Sequence, residues 1–533
     1  MRTFLLILVL CPLFGLAQTL SSVNSEVPLL TFDKPQDIEQ LILEDDTKDG
    51  TYFRFAKMVY CDLSPKNSGV WTEVEGGKVW SLAISATDAK AISLYYDKFW
   101  IPSQGRLYIY NPDKSQKIGP FTSQHNHESG VFAAELIYGD ILILEYFQPH
   151  SETADLELHI NRFAYAYKDV SGGQLSGYDS SGDCQVNANC DEGNAWENQK
   201  KSVCRIQIAG FGNSVGFCSG TLVNNTLNDC MPYVLSADHC FYGGDISTNN
   251  LNQSIFYFNY RSSTCNNSVP NNTYSITGCQ KLSNSGGEGS NGDSDFFFVE
   301  LNSEPDFDPF FAGWDRTNSA ASSGVSIHHP SGDIMKISTF TNSLYSTSFS
   351  GNNNTTHWGV VWNGTANGHG VTEGGSSGSS IFNQNGLVVG VLTGGSSFCY
   401  NTNAPDQYGK VWHAWDQMGN TNDKQLKPWL DPVNANVTTL NGIYCNQSAQ
   451  VISAFTSSER VVCKSSTVTF TSISTGSINA YEWTFNGGEP STASGPGPHT
   501  VSYNFTGDYD VNLVVNGDEN SDTYTQTDYI SVE

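Results

Sequence analysis

Positive charge is scarce in this chain of 533 residues, which carries 26 lysine and arginine residues against 54 aspartate and glutamate residues. The net charge of −28 argues against nucleic acid or an anionic membrane as a partner and predicts a soluble, self-repelling surface. Long apolar runs are also missing after the first 17 residues, so no later segment has the length of a membrane-spanning helix. We therefore expect no nucleic-acid binding and no membrane insertion.

The cysteine spacing of a structural zinc site is absent as well, because no CxxC pair occurs among the 13 cysteines. The segment HNH at 125–127 has neither a nearby cysteine nor a clear set of acidic ligands, and we interpret it as a loop. We accordingly expect no metal and no cofactor. Twelve of the cysteines follow the first 17 residues, a number that suits an oxidising compartment.

The chain opens with MRTFLLILVLCPLFGLAQ, which has one arginine, an apolar run through Leu16 and then the small residue Ala17. This pattern predicts a secretory signal peptide that is cleaved near Ala17, and hence a secreted, extracellular protein. A lipoprotein signal centred on Cys11 fits less well, since large side chains precede that cysteine and a proline follows it.

Short apolar segments broken by Gly, Asn, Ser and Thr predict an all-β protein of several domains. Residues 172–193 are almost free of large apolar side chains, and we interpret the first half of this stretch, up to about Asp183, as an exposed, cleavable linker. The composition divides the chain into a signal peptide and three β-rich units, with the boundaries 1–17, 18–175, 176–444 and 445–533.

Three segments within residues 176–444 carry the residue types of nucleophilic catalysis. LSADHCF contains His239, GDSDFFFVEL contains Asp295, and TEGGSSGSSIF contains Ser377. A serine hydroxyl attacks a peptide carbonyl only if an imidazole takes its proton, and a carboxylate on the other ring nitrogen fixes the tautomer. Each residue alone has an ordinary alternative, namely a core or metal-binding histidine, a turn aspartate and a loop serine. Their occurrence together favours a catalytic triad.

Two further features belong to this hypothesis. The backbone N–H groups of Gly375 and Ser377 are the candidates for binding the oxyanion, and a side chain at Gly375 would obstruct that approach. Asp293, two residues before Asp295, is the alternative acid, although its Gly/Ser-rich surroundings are typical of an exposed turn.

Together with CSGTLVNN, FAGWD, SIHHP, DQYGKV and WLDP, these segments resemble the bacterial lysyl endopeptidases, a branch of the trypsin/chymotrypsin-like serine proteases. The resemblance covers about residues 180–443 and implies an antiparallel two-barrel fold with the active site between the barrels. It implies that Ser377 is the nucleophile, His239 the general base and Asp295 the orienting acid. Asp406 would be the acid at the base of the primary specificity pocket, although a turn aspartate after a proline is its ordinary interpretation.

The sequence departs from the family pattern around that specificity pocket. Phe349 and Thr393 stand where the family has a tryptophan and a histidine, so preference for Lys over Arg stays open. A buried carboxylate at Asp406 still favours a cationic substrate residue. Gly394 and Gly395 would lie along the substrate backbone, where missing side chains permit β-pairing.

The resemblance also implies the disulfides Cys184–Cys399, Cys190–Cys265 and Cys218–Cys240. Cys204–Cys279 is a guess. No partners are assigned to Cys61, Cys230, Cys445 and Cys463.

Trypsin-like zymogens have an aspartate immediately before the catalytic serine, to which a new N-terminal amine binds on activation. Ser376 occupies that position here, so this switch is absent. We interpret residues 18–175 instead as a propeptide that assists folding and inhibits the enzyme until it is removed, the alternative being an accessory domain that stays attached. Residues 445–533 resemble a PKD-type β-sandwich through YEWTFNGG and VSYNFTGDYDVNLVV.

The leading hypothesis is thus a secreted serine endopeptidase, monomeric and made as a preproprotein, that cleaves proteins and peptides after Lys, with cleavage after Arg left open. The alternatives are a serine protease of different specificity and a non-catalytic extracellular binding or adhesion protein.

Overall fold

The computed structural model of the chain describes most residues after the predicted signal peptide, which itself lies outside the described part. The described ranges are 27–47, 53–170, 180–210, 213–244, 246–268, 270, 273–287, 289, 292–349, 355–445, 451–474, 476, 478–517 and 521–533. Most of the predicted linker, residues 171–179, also falls outside these ranges.

The N-terminal unit consists of eleven strands, one helix and a 3₁₀ turn at Ser123–His125, which contains the first histidine of HNH. In chain order its elements are β1 (Leu29–Phe32), α1 (Ile38–Thr47), β2 (Phe53–Leu63), β3 (Val70–Val74), β4 (Gly77–Ala86), β5 (Ala91–Trp100), β6 (Arg106–Tyr110), β7 (Lys117–Phe121), β8 (Phe132–Ala133), β9 (Ile137–Tyr138), β10 (Ile141–Pro149) and β11 (Glu157–Ala166).

These strands form two layers with a shared core. One sheet has the order β1-β4-β10-β6-β7, with β3 added beside β4, and the other contains β2, β11, β5 and β8, with β9 beside β5. The alternation of strand side chains explains the layers, because Leu142, Leu144 and Tyr146 of β10 are all fully buried on one face.

The first barrel follows, and a 3₁₀ turn at Asp191–Trp196 leads into it. Its elements are α2 (Glu197–Ser202), β12 (Val203–Ala209), β13 (Ser214–Leu222), β14 (Tyr233–Ala237), a 3₁₀ turn (His239–Gly244), α3 (Thr248–Leu251), β15 (Ile255–Phe258), β16 (Tyr274–Thr277), β17 (Cys279–Asn284) and β18 (Phe296–Leu301). The strand order is β16-β15-β12-β13-β14-β18-β17, and β13 also pairs with β2 of the N-terminal unit.

Strand β13 is buried on both faces, which explains why its sequence is not alternating. Cys218 and Leu222 belong to the core of the barrel, whereas Val215 and Phe217 belong to a separate core shared with the N-terminal unit. The two units are therefore joined by one continuous 12-stranded sheet.

The second barrel is built from the next eleven strands. Its elements are β19 (Phe310–Phe311), β20 (Trp314–Asp315), β21 (Gly324–His328), a 3₁₀ turn (Pro330–Gly332), β22 (Lys336–Phe340), β23 (Tyr345–Thr347), β24 (His357–Val360), β25 (Ser380–Asn383), β26 (Val388–Gly395), β27 (Asp406–Lys410), α4 (Val411–Asp416), a 3₁₀ turn (Asn422–Lys424), α5 (Lys427–Leu430), β28 (Thr439–Leu440) and β29 (Ile443–Tyr444). The main sheet has the order β22-β21-β25-β26-β27-β24-β23, β20 pairs with β26 and β28, and β19 pairs with β29.

The C-terminal unit is a sandwich of two small sheets, antiparallel except for one parallel pair of strands, around a core that includes Trp483. Its strands are β30 (Phe455–Ser457), β31 (Val461–Val462), β32 (Ser466–Ser472), β33 (Ala480–Phe485), β34 (Gly488–Glu489), β35 (Thr492–Ser494), β36 (His499–Tyr503), β37 (Gly507–Asn516) and β38 (Ser521–Val532). One sheet has the order β30-β32-β36-β34 and the other β31-β38-β37-β33-β35, in which β31–β38 is the parallel pair. The predicted all-β class, with two barrels and a C-terminal sandwich, is confirmed.

Four disulfides link cysteines between positions 184 and 445. They are Cys184–Cys399, Cys190–Cys265, Cys218–Cys240 and Cys230–Cys445, of which the first three are the pairs implied by the family resemblance.

The guessed pair Cys204–Cys279 is wrong, since neither cysteine forms a disulfide. The sulfur of Cys204 faces Gly220 on the neighbouring strand, whereas that of Cys279 faces the carbonyl oxygen of Leu251. Among the described residues, no helix is long and apolar enough to cross a membrane.

Candidate active site

A histidine and an aspartate meet at the end of two paired strands of the first barrel. The register opposes Ala237, the last residue of β14, to Phe296, the first residue of β18. His239 follows β14 by two positions and Asp295 directly precedes β18. The pairing of the two strands thus places both side chains at one end of the sheet.

The contact between these two side chains is short and buried. His239 Nδ1 lies 2.7 Å from Asp295 Oδ2, and the backbone N–H of His239 donates to Asp295 Oδ1 at 2.9 Å. Asp295 is fully buried and His239 is 8% exposed. A carboxylate that accepts from Nδ1 fixes the tautomer and leaves Nε2 for proton transfer, which is what a general base requires.

The backbone at Asp295 is in the left-handed region, with a φ of 54°. Aspartate enters this region more readily than most residues, and such conformations persist where the surrounding structure holds them. Here the carbonyl of Asp295 accepts the N–H of Asp238 at 3.0 Å. The same turn therefore aligns the carboxylate with the histidine.

Asp293, the alternative acid, accepts two backbone N–H groups within the turn. Its Oδ1 lies 2.7 Å from the nitrogen of Gly289 and 3.1 Å from that of Asp295. Burial raises its pKa. Asp293 thus shapes the turn that presents Asp295.

Asp238, next to the histidine, is a buried carboxylate that holds a neighbouring loop. It accepts hydrogen bonds from one run of residues, Asn284, Ser285, Gly286 and Gly287. Burial, together with the nearby charge of Asp295, raises its pKa to about 6. Sequence reasoning missed this group, and its position beside His239 is the only signal that could have found it.

Ser377 lies in a tight turn between the two barrels and is 2% exposed. Its carbonyl oxygen accepts the N–H of Ser219 on β13 at 2.8 Å. Gly375 has a φ of +96°, and an added Cβ would lie 2.8 Å from the carbonyl oxygen of His329. Glycine is therefore required at 375 on both conformational and steric grounds.

The residue before the serine is held by a buried histidine. Ser376 Oγ lies 2.7 Å from His328 Nδ1 and accepts the N–H of Glu373 at 3.1 Å. His328 Nε2 lies 3.0 Å from Ser338 Oγ, and burial lowers the pKa of His328 to about 3. A neutral histidine thus anchors the turn where trypsin-like zymogens use an aspartate. Sequence reasoning missed this role, although SIHHP was one of the family segments.

Asp406 begins β27 and is fully buried. Its Oδ2 accepts from Trp362 Nε1 at 2.6 Å, Thr372 Oγ1 at 2.8 Å and Ser397 Oγ at 2.5 Å. Its Oδ1 accepts the N–H of Ser397 at 3.1 Å. Burial raises the pKa of Asp406, and these hydrogen bonds oppose that effect.

Gly395 lies beside this carboxylate, where an added Cβ would come within 1.9 Å of Asp406 Oδ1. Glycine at 395 is therefore what allows Oδ1 to lie this close to the end of β26. An added Cβ at Gly394 would lie 3.4 Å from the ring of Phe349, so this ring covers the end of β26.

Phe349 and Thr393 meet a third residue that the sequence did not indicate. The rings of Phe349 and His357 lie 5.9 Å apart at 32°, and His357 Nε2 lies 3.1 Å from Thr393 Oγ1. Burial lowers the pKa of His357 to about 3, so this ring is neutral. The short threonine thus binds a histidine supplied by β24.

No group of His, Cys, Asp or Glu side chains arranged to hold a metal ion occurs within the described ranges.

Comparison with known proteins matches residues 178–409 to the lysyl endopeptidase C-terminal domain and residues 454–528 to the PKD domain. Among solved structures, a thermostable serine protease, AL20, from an extremophilic microorganism is 13% identical, with 40% of this chain and 91% of that chain covered and a TM-score of 0.27. A Glu endopeptidase in complex with MPD is 19% identical, with 43% and 93% covered and a TM-score of 0.26.

The matched residues 178–409 form a domain of the serine endopeptidase class. Within that class they match the lysyl endopeptidase C-terminal domain, and residues 454–528 match the PKD domain. Both resemblances found in the sequence are confirmed. The family implies peptide substrates, and together with the four disulfides it fits an extracellular protein.

Proposed function

We propose that the protein is a secreted endopeptidase that hydrolyses the peptide bond after lysine with a triad of Ser377, His239 and Asp295. One observation carries the proposal, namely the buried contact of 2.7 Å between His239 Nδ1 and Asp295 Oδ2, beside the glycine-flanked turn of Ser377. Burial strengthens this contact and protects it from competing water.

The chemistry follows from the roles of these groups. Ser377 Oγ attacks the carbonyl carbon of the scissile bond while His239 Nε2 takes the hydroxyl proton, and Asp295 stabilises the resulting imidazolium. The N–H groups of Gly375 and Ser377 donate to the oxyanion. The imidazolium then protonates the leaving amine. Water repeats the sequence on the acyl-enzyme and releases the acid product.

The hydrogen bonds of Asp406 support lysine as the residue before the cleaved bond. Three donors already use Oδ2, whereas Oδ1, which lies against Gly395, accepts a single N–H. A lysine ammonium is a compact charge that needs one such acceptor, while an arginine guanidinium pairs best with both carboxylate oxygens. We therefore place lysine ahead of arginine.

The processing of the chain is part of the same proposal. Residues 1–17 would be the signal peptide, residues 18–175 the propeptide, residues 176–444 the protease domain and residues 445–533 the PKD-type domain. The disulfide Cys230–Cys445 attaches the residue at the last of these boundaries to the first barrel. The mature enzyme is proposed to be monomeric.

The proposal is tested by mapping every bond that the processed enzyme cuts in a denatured protein, with the Ser377→Ala variant as control. Cuts after lysine that disappear in the variant are expected. Cuts after lysine and arginine at similar rates would mean that Phe349, Thr393 and His357 do not narrow the pocket. If neither protein cuts and a serine-directed organophosphate does not label Ser377, the non-catalytic binding alternative replaces the proposal.

A further inference from the structure

A strand of the N-terminal unit pairs with β13 of the first barrel. The antiparallel register opposes Lys57 to Ser214, Ala56 to Val215, Arg54 to Gly216 and Phe53 to Phe217. The N–H of Met58 extends this pairing by donating to the carbonyl oxygen of Asn213 at 2.7 Å. The first residues of β13 thus have a strand partner from outside their own barrel.

This pairing lies on the edge of β13 that faces the candidate nucleophile. The N–H of Ser219 donates to the carbonyl of Ser377 at 2.8 Å. Backbone groups of residues two positions apart in a strand point to the same side, so Phe217 presents its N–H and C=O to that side as well. Phe53 is the residue opposite Phe217. The beginning of β2 and Ser377 are therefore neighbours on the same edge of β13.

The occupied edge corresponds to one particular side of the cleft. The lysine pocket at Asp406 lies on the second barrel, on β26 and β27, which pair with strands of their own barrel. A substrate whose lysine enters that pocket crosses Ser377 and continues toward the first barrel. The residues after the cleaved bond would then follow β13, where an extended peptide gains backbone hydrogen bonds as an added strand.

The contact that holds β2 in place is well packed. The ring of Phe55 stacks on that of Phe217, with centroids 4.2 Å apart and planes inclined by 8°, and both residues are fully buried. Gln207 of β12 donates from Nε2 to Ser93 Oγ at 3.0 Å and to Tyr95 OH at 2.9 Å, both in the N-terminal unit. Such buried, satisfied polar contacts fix one docking geometry.

We propose that β2 inhibits the enzyme by occupying the edge of β13 on which the residues following the cleaved bond must bind, while the lysine pocket stays available. This inference rests on the proposed function of Ser377 and Asp406. It assigns the inhibition to the leaving-group side of the cleft, so the full chain discriminates between substrates by the residues on the C-terminal side of the lysine.

The test uses the full chain and two lysyl substrates with the same acyl part. One is an aminomethylcoumarin amide, which ends at the cleaved bond, and the other is an internally quenched peptide that continues for several residues. The measured quantity is the ratio of kcat/KM for the peptide to kcat/KM for the amide, which is independent of the fraction of correctly folded enzyme.

The variant Phe55→Ala removes the stacked ring and weakens the docking of β2. Because such truncations shift an equilibrium by well over a factor of ten, we expect the ratio to rise by about tenfold or more. Met58→Ala, a smaller loss in the same contact, should raise it less and serves if Phe55→Ala does not fold. Phe99→Ala, which truncates a ring packed within the N-terminal unit against Tyr96 and Phe132, is the matched control and should leave the ratio unchanged.

Equal ratios in the full chain and in Phe55→Ala would overturn the inference. An equal rise in Phe99→Ala would also overturn it, because the effect would then come from general loosening of the N-terminal unit. If no form cuts either substrate and the organophosphate does not label Ser377, the proposed function itself has failed.

Discussion

The substitution Asp406→Asn tests the proposed specificity pocket most directly. Asparagine has the same shape, so it fills the same site against Gly395 but cannot neutralise a cation. Asp406 is fully buried, and removing one partner of a buried, hydrogen-bonded charge pair costs about 2–5 kcal/mol. With about 1.4 kcal/mol for each factor of ten, kcat/KM for a lysyl amide should fall by roughly 30-fold to 4,000-fold.

The assay compares three amides that differ only in the residue before the cleaved bond, namely lysine, arginine and norleucine. Norleucine has the length of lysine without its charge, so its kcat/KM should stay within about threefold, a change of less than 1 kcal/mol. Asp431→Asn is the matched control, because Asp431 is also buried and accepts from Thr226 Oγ1 and from the N–H groups of Ala435 and Asn436. Asp431→Asn should leave the ranking of the three amides by kcat/KM unchanged.

Two results would refute the reasoning. Equal losses for lysine and norleucine in Asp406→Asn would show that the carboxylate supports the structure of the site without binding the cation. An unchanged lysine rate would show that the substrate cation binds elsewhere. Thermal unfolding of both variants separates either outcome from a general loss of folded protein.

The remaining predictions concern the proposed triad and its surroundings. Ser377→Ala and His239→Ala should each lower kcat by about 10⁶, and the double variant should lose little more, whereas additive losses would contradict a shared role. The pKa of Asp238 is raised to about 6, so the folded state keeps a proton that the unfolded chain releases, and the free energy of unfolding should fall as pH rises from about 4 to about 6 by up to about 3 kcal/mol. Asp238→Asn should remove this part of the pH dependence of thermal unfolding, and an unchanged profile would contradict the assignment. His328→Ala leaves Ser376 Oγ without its 2.7 Å partner and should destabilise the protein by about 1–3 kcal/mol while also lowering kcat. Because His328 is neutral, the pH profile of kcat should keep its shape, and a displaced profile would contradict this anchoring role.

Much of the candidate site could be predicted from sequence because each of its residues lies at the end of a recognisable strand. The apolar run before His239 became β14, and the run after Asp295 became β18. The glycine-flanked turn at Ser377 could be predicted for the same reason, since its conformation is encoded locally. The roles of these residues in catalysis stay a proposal.

The pocket and the N-terminal unit were less predictable, because they depend on contacts between distant segments. His357 comes from β24 and reaches Thr393 through a single hydrogen bond, a relation that no spacing in the sequence expresses. The pairing of β2 with β13 joins two strand edges about 160 positions apart along the chain, and local hydrophobic patterns do not specify which edge meets which. The Cys204–Cys279 guess failed because counting cysteines gives no geometry.

The long disulfides have a consequence for how the enzyme tolerates damage. Cys184–Cys399 and Cys230–Cys445 each span 215 positions, and their loops overlap over residues 230–399. A break in the backbone within that stretch, for example after the exposed Lys281, leaves both fragments covalently attached through two bridges. An enzyme that cuts copies of itself there would keep its two barrels together, and the nick would become visible only after reduction on a denaturing gel.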